Sequence, residues 1–391
     1  MAGRRRMFDR LEKDMALRRT GQRLVWMHCA SLGEFEQGRT IVETLRQEWP
    51  EVKIMLTFFS PSGFEIRKNY PLVDWVYYLP ADTARNARRF VELVQPDVTV
   101  FVKYEFWYHH LLALKRQGNP VVLVAALFRP GQPFFRWYGP LHRQMLACFD
   151  TIFVQDEASR QLVTGITDVP VTLAGDTRVD RVKALADEAA EDKTVKWFCG
   201  DAPVLLAGST WPPDEVILTN IINSDEWANW RFVVAPHDVA PARIESLVKR
   251  LDGRCLRYSD ACRDGQDIMP ASSVLIIDNV GLLAQLYRYG KVAYIGGGFG
   301  KGIHNTLEPM AFGLPLLFGP RYKKFTEAVF MVKNGGAFVV RHPEDAARAL
   351  RRFSDEVVYK NAARAARTYI GENSGATERA MDWLRRQVGL F

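Results

Sequence analysis

A chain of 391 residues is too long for one ordinary hydrophobic core and suits two domains. Apolar residues make up 48% of it and charged residues 25%, the composition of a soluble globular protein. The five cysteines are scattered, with no CxxC pair and no His/Cys cluster at zinc spacing, which argues against a disulfide framework or a structural zinc. A net charge of +7 favours an anionic partner.

The positive excess is concentrated at the start. Residues 1–23 hold eight basic groups, Arg4, Arg5, Arg6, Arg10, Lys13, Arg18, Arg19 and Arg23, against the acids Asp9, Glu12 and Asp14. Met7, Leu11 and Met15 recur every four residues, so a helix here would be short, basic and amphipathic. It would either lie on an anionic membrane surface or pack its apolar stripe on the protein itself. No run reaches the roughly 18 apolar residues needed to span a bilayer, and no signal peptide opens the chain, so membrane contact is expected to be peripheral.

Short apolar runs then alternate with helical patterns. The strand expectations are 24–29, 52–58, 75–79, 98–102, 121–125, 151–154 and 171–174 in the first half. In the second half they are 204–207, 231–235, 254–257, 274–277, 292–295, 314–318 and 337–340. Runs such as VVLVAAL and VLIID are continuously apolar, as in strands buried on both faces. The repeated β–helix–β order predicts an α/β protein with parallel sheets. Helices are expected over 38–48, stopped by Pro50, over 82–94, before Pro96, and over 357–387. The polar stretch 176–201 contains no strand pattern and places the boundary near residue 178, giving domains 1–178 and 179–391. The final helix is free to pack back on the first domain. Two parallel-sheet domains of similar size suggest a ligand cleft facing both.

Candidate chemistry falls at strand exits. In HCASLGEFEQG, residues 28–38, Ser31 and Gly33 suit a tight turn, and Glu34 would project from a βα loop as a general base, with Glu36 as competitor. A surface charge or a helix cap is the plainer reading. In FVKYEFWYHH, residues 101–110, Glu105 leaves an apolar strand among aromatics, where it is either desolvated for function or simply solvated. The stretch 129–140, RPGQPFFRWYGP, is a basic aromatic loop that suits either a lipid interface or a buried anchor.

The second half carries AGSTWPPDE, residues 207–215, where Ser209 and Thr210 could bind phosphate or cap a helix, and His237 at the next strand exit. Its strongest signal is YIGGGFGKGIHNTLEPMAFGLPLLFGP, residues 294–320. Glycines such as Gly297, Gly298 and Gly302 let backbone approach a ligand closely, and a helix beginning near Asn305 offers N–H groups to phosphate. His304 and Asn305 can donate to phosphate or base, and Glu308 can accept from a ribose diol. No acidic residue closes the next strand, so this is not the dinucleotide fingerprint.

With these motifs in order, together with TFFSPSGFE, FVQDE and LAGDTRVDRV, the sequence resembles the Kdo transferases. These move 3-deoxy-D-manno-oct-2-ulosonic acid from CMP-Kdo to the lipid A precursor of lipopolysaccharide. The resemblance implies a GT-B fold of two Rossmann-like domains facing across a cleft, inversion at the anomeric carbon, and neither metal nor cofactor. It implies Glu34 as catalytic base, and Glu105 on the acceptor side with Ser31 and Gly33. Ser209, Thr210, His237, Gly297, Gly298, Gly302, His304, Asn305 and Glu308 would bind the donor. The implied partners are CMP-Kdo, the lipid A precursor lipid IVA and an anionic membrane surface, at the cytoplasmic face of the bacterial inner membrane. Attachment would be peripheral, or through a membrane helix that many relatives carry and this sequence does not show. Three features depart from the family pattern: the sequence reads Ala235-Pro236-His237, so the Arg usual before that His is missing, Lys103 replaces an acid, and the membrane helix that many relatives carry is not seen. Alternatives are another GT-B enzyme or an epimerase using a UDP-sugar, or a non-catalytic peripheral membrane protein. No nucleic-acid module accompanies the basic residues.

Overall fold

The computed structural model describes residues 7–19, 21–251, 255–263 and 272–388; Arg4, Arg5, Arg6 and Arg254 lie outside these. Two compact units emerge. The first comprises residues 1–181 with 373–391, and the second residues 182–372. The boundary thus falls at 181/182, three residues beyond the expected position, and the chain's last helix folds with the first unit.

Each unit is built on a seven-stranded parallel sheet. The first contains β1 (Leu24–Cys29), β2 (Lys53–Phe58), β3 (Trp75–Tyr78), β4 (Val98–Val102), β5 (Val121–Ala126), β6 (Thr151–Val154) and β7 (Val171–Leu173), in the order β3-β2-β1-β4-β5-β6-β7. The second contains β8 (Val204–Thr210), β9 (Arg231–Pro236), β10 (Cys255–Arg257), β11 (Val274–Ile276), β12 (Val292–Ile295), β13 (Leu316–Phe318) and β14 (Ala337–Val339), in the order β10-β11-β9-β8-β12-β13-β14. β1 and β4 are buried along their whole length, as continuous apolar runs between two helix layers require.

In both sheets the strand order reverses direction next to the first strand, between β1 and β4 and between β8 and β12. At such a switch point the loops leave in opposite directions and open a crevice at the carboxyl edge. The motifs at residues 28–38 and 103–105 flank the first switch point; those at 208–215 and 296–308 flank the second.

Two helix expectations change. The helix expected over 38–48 runs from Leu32 to Glu48, capped by Ser31, so it starts six residues earlier. Gly38 sits inside it because a Cβ there would meet Met27 Sδ at 2.9 Å and Val102 Cγ2 at 3.1 Å; close helix–sheet packing outweighs glycine's weak helix propensity. The single helix expected over 357–387 is two, Glu356–Asn373 and Ala376–Val388. Gly375 (φ +88°) makes the break, and the Asp180 carboxylate takes N–H groups from Gly375 and Thr377. The second of these helices buries Ala376, Ala380, Met381 and Leu384 in the same core as Val25, Met27 and Phe35.

The N-terminal helix Met7–Ala16 resolves an open choice. Met7 and Leu11 are buried in the core with Phe90 and Val94, and Met15 packs against it. The apolar stripe is therefore turned inward, because each such side chain gains about 1.5–3 kcal/mol by leaving water for the core. Among the described residues no helix is long and apolar enough to cross a membrane.

Candidate functional site

At the first switch point Glu34 occupies the third position of the Leu32–Glu48 helix, not a loop. The run Ser-x-x-Glu is a helix-start signature, and it acts locally as one. Ser31 Oγ accepts from Gly33 N at 3.2 Å and donates to Glu34 Oε2. Ser31 is thus spent on capping and on orienting Glu34, and the first helical turn is electrostatically suited to a carboxylate. Glu36 is engaged differently. Arg67 (2.9 Å), Arg39 (3.6 Å) and Arg181 all pair with it, making it a structural hub, while among the described residues Glu34 has no basic partner within ion-pair distance.

Glu105 is buried, 7% exposed, and its Oε2 lies 2.6 Å from Trp107 Nε1, which donates to it, and 3.2 Å from His28 Nε2. His28 is fully buried on β1, and its Nδ1 lies 2.8 Å from Thr57 Oγ1, which in turn accepts from Trp26 Nε1 at 2.8 Å. The Thr57 hydroxyl also reaches Met27 O at 3.4 Å. One chain of hydrogen bonds across β1 and β2 therefore orients one carboxylate. Such a buried network stays stable only when every member is satisfied. The fully buried thiol of Cys29 is held well above the ordinary cysteine range by burial and then by Glu105, Glu34 and Glu36, which places all three carboxylates within electrostatic reach of one atom. Lys103, at φ +71° on the exit of β4, has its amine pushed below the usual lysine range by burial and by Arg178.

At the second switch point the organising group is Asp214, a residue the sequence marks only as part of a helix start. Fully buried, its Oδ2 accepts from Trp211 N and Gly297 N, both at 2.9 Å, and its Oδ1 from Tyr294 Oη at 3.0 Å. It pins the start of the helix Pro212–Ile222 to the glycine loop. The glycines at 296–298 answer to this packing. A Cβ at Gly296 would come within 2.1 Å of Ser209 O, and one at Gly298 within 2.6 Å of Gly319 Cα and N. A Cβ at Gly297 (φ +90°) would lie 2.6 Å from Gly302 O. These three let backbone approach backbone, and Gly297 also lines the cavity described below. The Gly297 N–H is also already engaged.

Other donor-side candidates divide in the same way. The Thr210 hydroxyl turns inward to Glu215 Oε1 at 3.3 Å, beside the Arg243–Glu215 ion pair. Ser209 takes the left-handed region at φ +53°, a strain retained at the carboxyl edge of the sheet. The helix expected from Asn305 starts at Leu307, because Asn305 closes a turn instead: its Oδ1 accepts from Leu307 N at 3.0 Å and its Nδ2 donates to Glu308 Oε1 at 2.9 Å.

His237 and His304 stack on each other (4.6 Å, 26°), and Trp211 stacks on His237 (4.6 Å, 22°). Trp211 Nε1 donates to His304 Nε2 at 2.9 Å, so His304 carries its proton on Nδ1. Burial, and then His237, lower the pKa of His304 and keep it neutral near pH 7. Trp211, Pro213, Phe299, Lys301, Gly302 and His304 line a cavity of about 420 Å³. Aromatic walls, one cation and a ring N–H suit an anionic, partly planar ligand. Tyr287, fully buried with its hydroxyl against Gly208, has its phenol raised by burial and by Glu308, which places Glu308 beside the same edge. Among the described residues no group of three His, Cys, Asp or Glu is placed to hold a metal ion.

His28, Thr57, Trp107, Trp211, Asp214 and Tyr287 are absent from the sequence candidates. A signal exists for some of them: His28 and Thr57 fall at the carboxyl ends of adjacent inner strands, and Asp214 follows two prolines at a helix start.

The architecture, two Rossmann-like units each with its crevice at the carboxyl edge, defines the GT-B class. Solved structures share it. UDP-GlcNAc 2-epimerase from Neisseria meningitidis bound to UDP-GlcNAc covers 93% of this chain and all of its own at TM-score 0.64 and 15% identity. The calicheamicin glycosyltransferase CalG4 covers 95% and 99% at TM-score 0.60 and 16% identity.

More particularly, residues 4–181 match the family described as 3-deoxy-D-manno-octulosonic-acid transferase (kdotransferase). The 3-deoxy-D-manno-octulosonic acid transferase of Haemophilus influenzae is 27% identical over 381 residues, covering 92% of this chain and 86% of its own. The resemblance to the Kdo transferases that the motifs carry is thereby borne out.

Proposed function

We propose that this protein is a glycosyltransferase that moves Kdo from CMP-Kdo onto a glucosamine hydroxyl of the lipid A precursor in lipopolysaccharide synthesis. The observation that carries this is the division of Glu34 from Glu36: one carboxylate at the switch point is oriented by a serine and forms no ion pair among the described residues, the other is enclosed by arginines. Glu34 removes the acceptor hydroxyl's proton as that oxygen attacks the anomeric carbon of Kdo, and CMP leaves from the opposite face. The C–O bond to phosphate breaks as the new glycosidic bond forms, so configuration inverts. Glu105, held by His28 and Trp107, orients the acceptor sugar. The cavity beside His304 and Lys301, with the Trp211–His237 stack, binds the donor, and Glu308 accepts from its ribose. Metal independence and inversion come from the family resemblance.

The test is product mass from CMP-Kdo, generated in situ, and a tetraacylated lipid A precursor. Wild type adds one Kdo mass or more, and chelating agents leave this unchanged. Folded Glu34→Ala that transfers at the wild-type rate would refute the assignment. Thermal shifts with CMP and with UDP separate this reading from a UDP-sugar enzyme, since only the bound nucleotide raises Tm.

A further inference from the structure

The loop at residues 129–140 presents an exposed aromatic surface on a rigid base. Trp137 is 89% exposed, Tyr138 52%, and Leu141 of the following helix, Pro140–Leu146, 49%. Behind them the loop is tied down. Phe134 is buried, 4.7 Å from the ring of Phe106 and 5.7 Å from that of Phe128. Arg143 Nη1 donates to Phe134 O at 3.0 Å, and Gly139 N to Arg136 O at 3.0 Å. A Cβ at Gly139 would lie 2.4 Å from Pro133 O, so the turn closes only with glycine. Trp137 and Tyr138 therefore cannot fold back to bury themselves without dismantling this anchor. Large apolar rings kept in water by a rigid support mark a surface made for another apolar phase.

The charge along this stretch of chain is one-sided. From Tyr108 to Phe149 the chain holds Lys115, Arg116, Arg129, Arg136 and Arg143 and neither Asp nor Glu. Arg129 and Arg136, on either side of the buried Phe134, are exposed. Aromatic rings that sit at headgroup depth, flanked by guanidinium groups on a stretch of chain without acids, fit the interface of an anionic bilayer. The N-terminal helix offers no such apolar face, because Met7 and Leu11 are buried.

We propose that Trp137, Tyr138 and Leu141, with Arg129 and Arg136, form the surface by which this protein docks on an anionic lipid bilayer. This deepens the acceptor side of the function above by naming where the lipid phase is met. Vesicle binding does not itself require the transfer chemistry.

The experiment is co-sedimentation of the full chain with vesicles of phosphatidylcholine alone and with 30% phosphatidylglycerol, while tryptophan emission is recorded. Wild type should bind the anionic vesicles much more tightly, with a blue shift. Trp137→Ala/Tyr138→Ala should lower the partition constant about tenfold or more, the equivalent of one aromatic side chain left in water, and abolish the blue shift. Arg129→Glu/Arg136→Glu should bind weakly and lose most of the salt dependence that the aromatic variant keeps. These positions are exposed, and unchanged circular dichroism and Tm confirm folding. Unchanged binding by the aromatic variant would overturn the proposal. So would a wild-type dimer that this variant turns into a monomer, since the surface would then be a contact between copies. Vesicle binding through the loop with no Kdo product fails the transfer reading alone; Kdo product with binding that ignores the loop fails this one alone.

Discussion

The two switch points solve opposite problems with the same sheet geometry. At the first, side chains carry the site: two carboxylates, each oriented by dedicated donors, Ser31 for Glu34 and His28 with Trp107 for Glu105. At the second, backbone and rings carry it: glycines packed against other backbone, a buried aspartate that pins them, and a stack of Trp211, His237 and His304. Proton transfer needs a few oxygens placed to within a fraction of an ångström, which a side chain locked by hydrogen bonds provides. Holding a nucleotide needs a rigid concave wall, which close backbone packing provides.

The largest effect should come from breaking the first edge. Glu34→Gln should lower the rate on the order of 10²-fold or more, in the usual range for a general base, with Tm unchanged. Glu36→Gln should do the reverse, lowering Tm through its lost arginine partners while turnover stays within a few-fold, as rate and melting assays on the pair will show. A common loss of rate in both variants would erase the distinction drawn between them.

Next, His28→Ala should destabilise the first unit by about 1.5–3 kcal/mol, the value of a buried hydrogen bond to a charged group. If His28 positions Glu105, the variant should also raise KM for the acceptor while KM for the donor stays constant. Steady-state kinetics at varied acceptor will separate this from a purely structural role, which would move Tm alone.

The second edge should fail through packing. Gly298→Ala forces a methyl to 2.6 Å from the Gly319 backbone and should lose about 1–3 kcal/mol of stability, read by denaturant unfolding. Gly300→Ala, with its nearest neighbour at 3.6 Å and an ordinary φ, should lose less than about 0.5 kcal/mol. Because Gly300 lines the cavity, it should still weaken nucleotide binding.

The smallest effect concerns pH. Burial and His237 lower the pKa of His304 in the fold, so the unfolded chain binds that proton more readily. The stability this provides is complete above the ordinary imidazole value of about 6.5 and is lost as pH falls from there through the lowered pKa. Tm of wild type should therefore drop more between pH 7 and 5 than that of His304→Gln. Parallel curves would remove His304 as the group responsible.

Much of the scaffold was legible because it is written in continuous apolar runs. Thirteen of the fourteen strands seen among the described residues fall within a residue or two of their expected places, and β8 runs three residues further, since inner strands covered on both faces need apolar side chains at nearly every position. Helix starts were less legible. The Leu32 start was hidden by Gly33 and Gly38; the poor propensity of Gly38 is offset by packing that only the folded sheet supplies. The Gly375 break was hidden because alanine and arginine continue on both sides. At the sites, Glu34, Glu105 and His304 could be named from their positions at strand exits. The groups that orient them, His28, Thr57, Trp107 and Trp211, could not, because their partners lie 2 to 93 residues away along the chain.

The last helix, 376–388, has a consequence for the order in which the chain acquires its shape during synthesis. Its Ala376, Ala380, Met381 and Leu384 complete the core around Val25 and Met27, strands made among the first. The second unit, residues 182–372, has all its elements before that helix leaves the ribosome. The half that begins first is thus finished last, and during the interval the apolar face under the missing helix stands open. A chaperone that holds nascent apolar surface would find its target on the N-terminal sheet, and a chain truncated after residue 372 should display a folded second unit beside an incomplete first one.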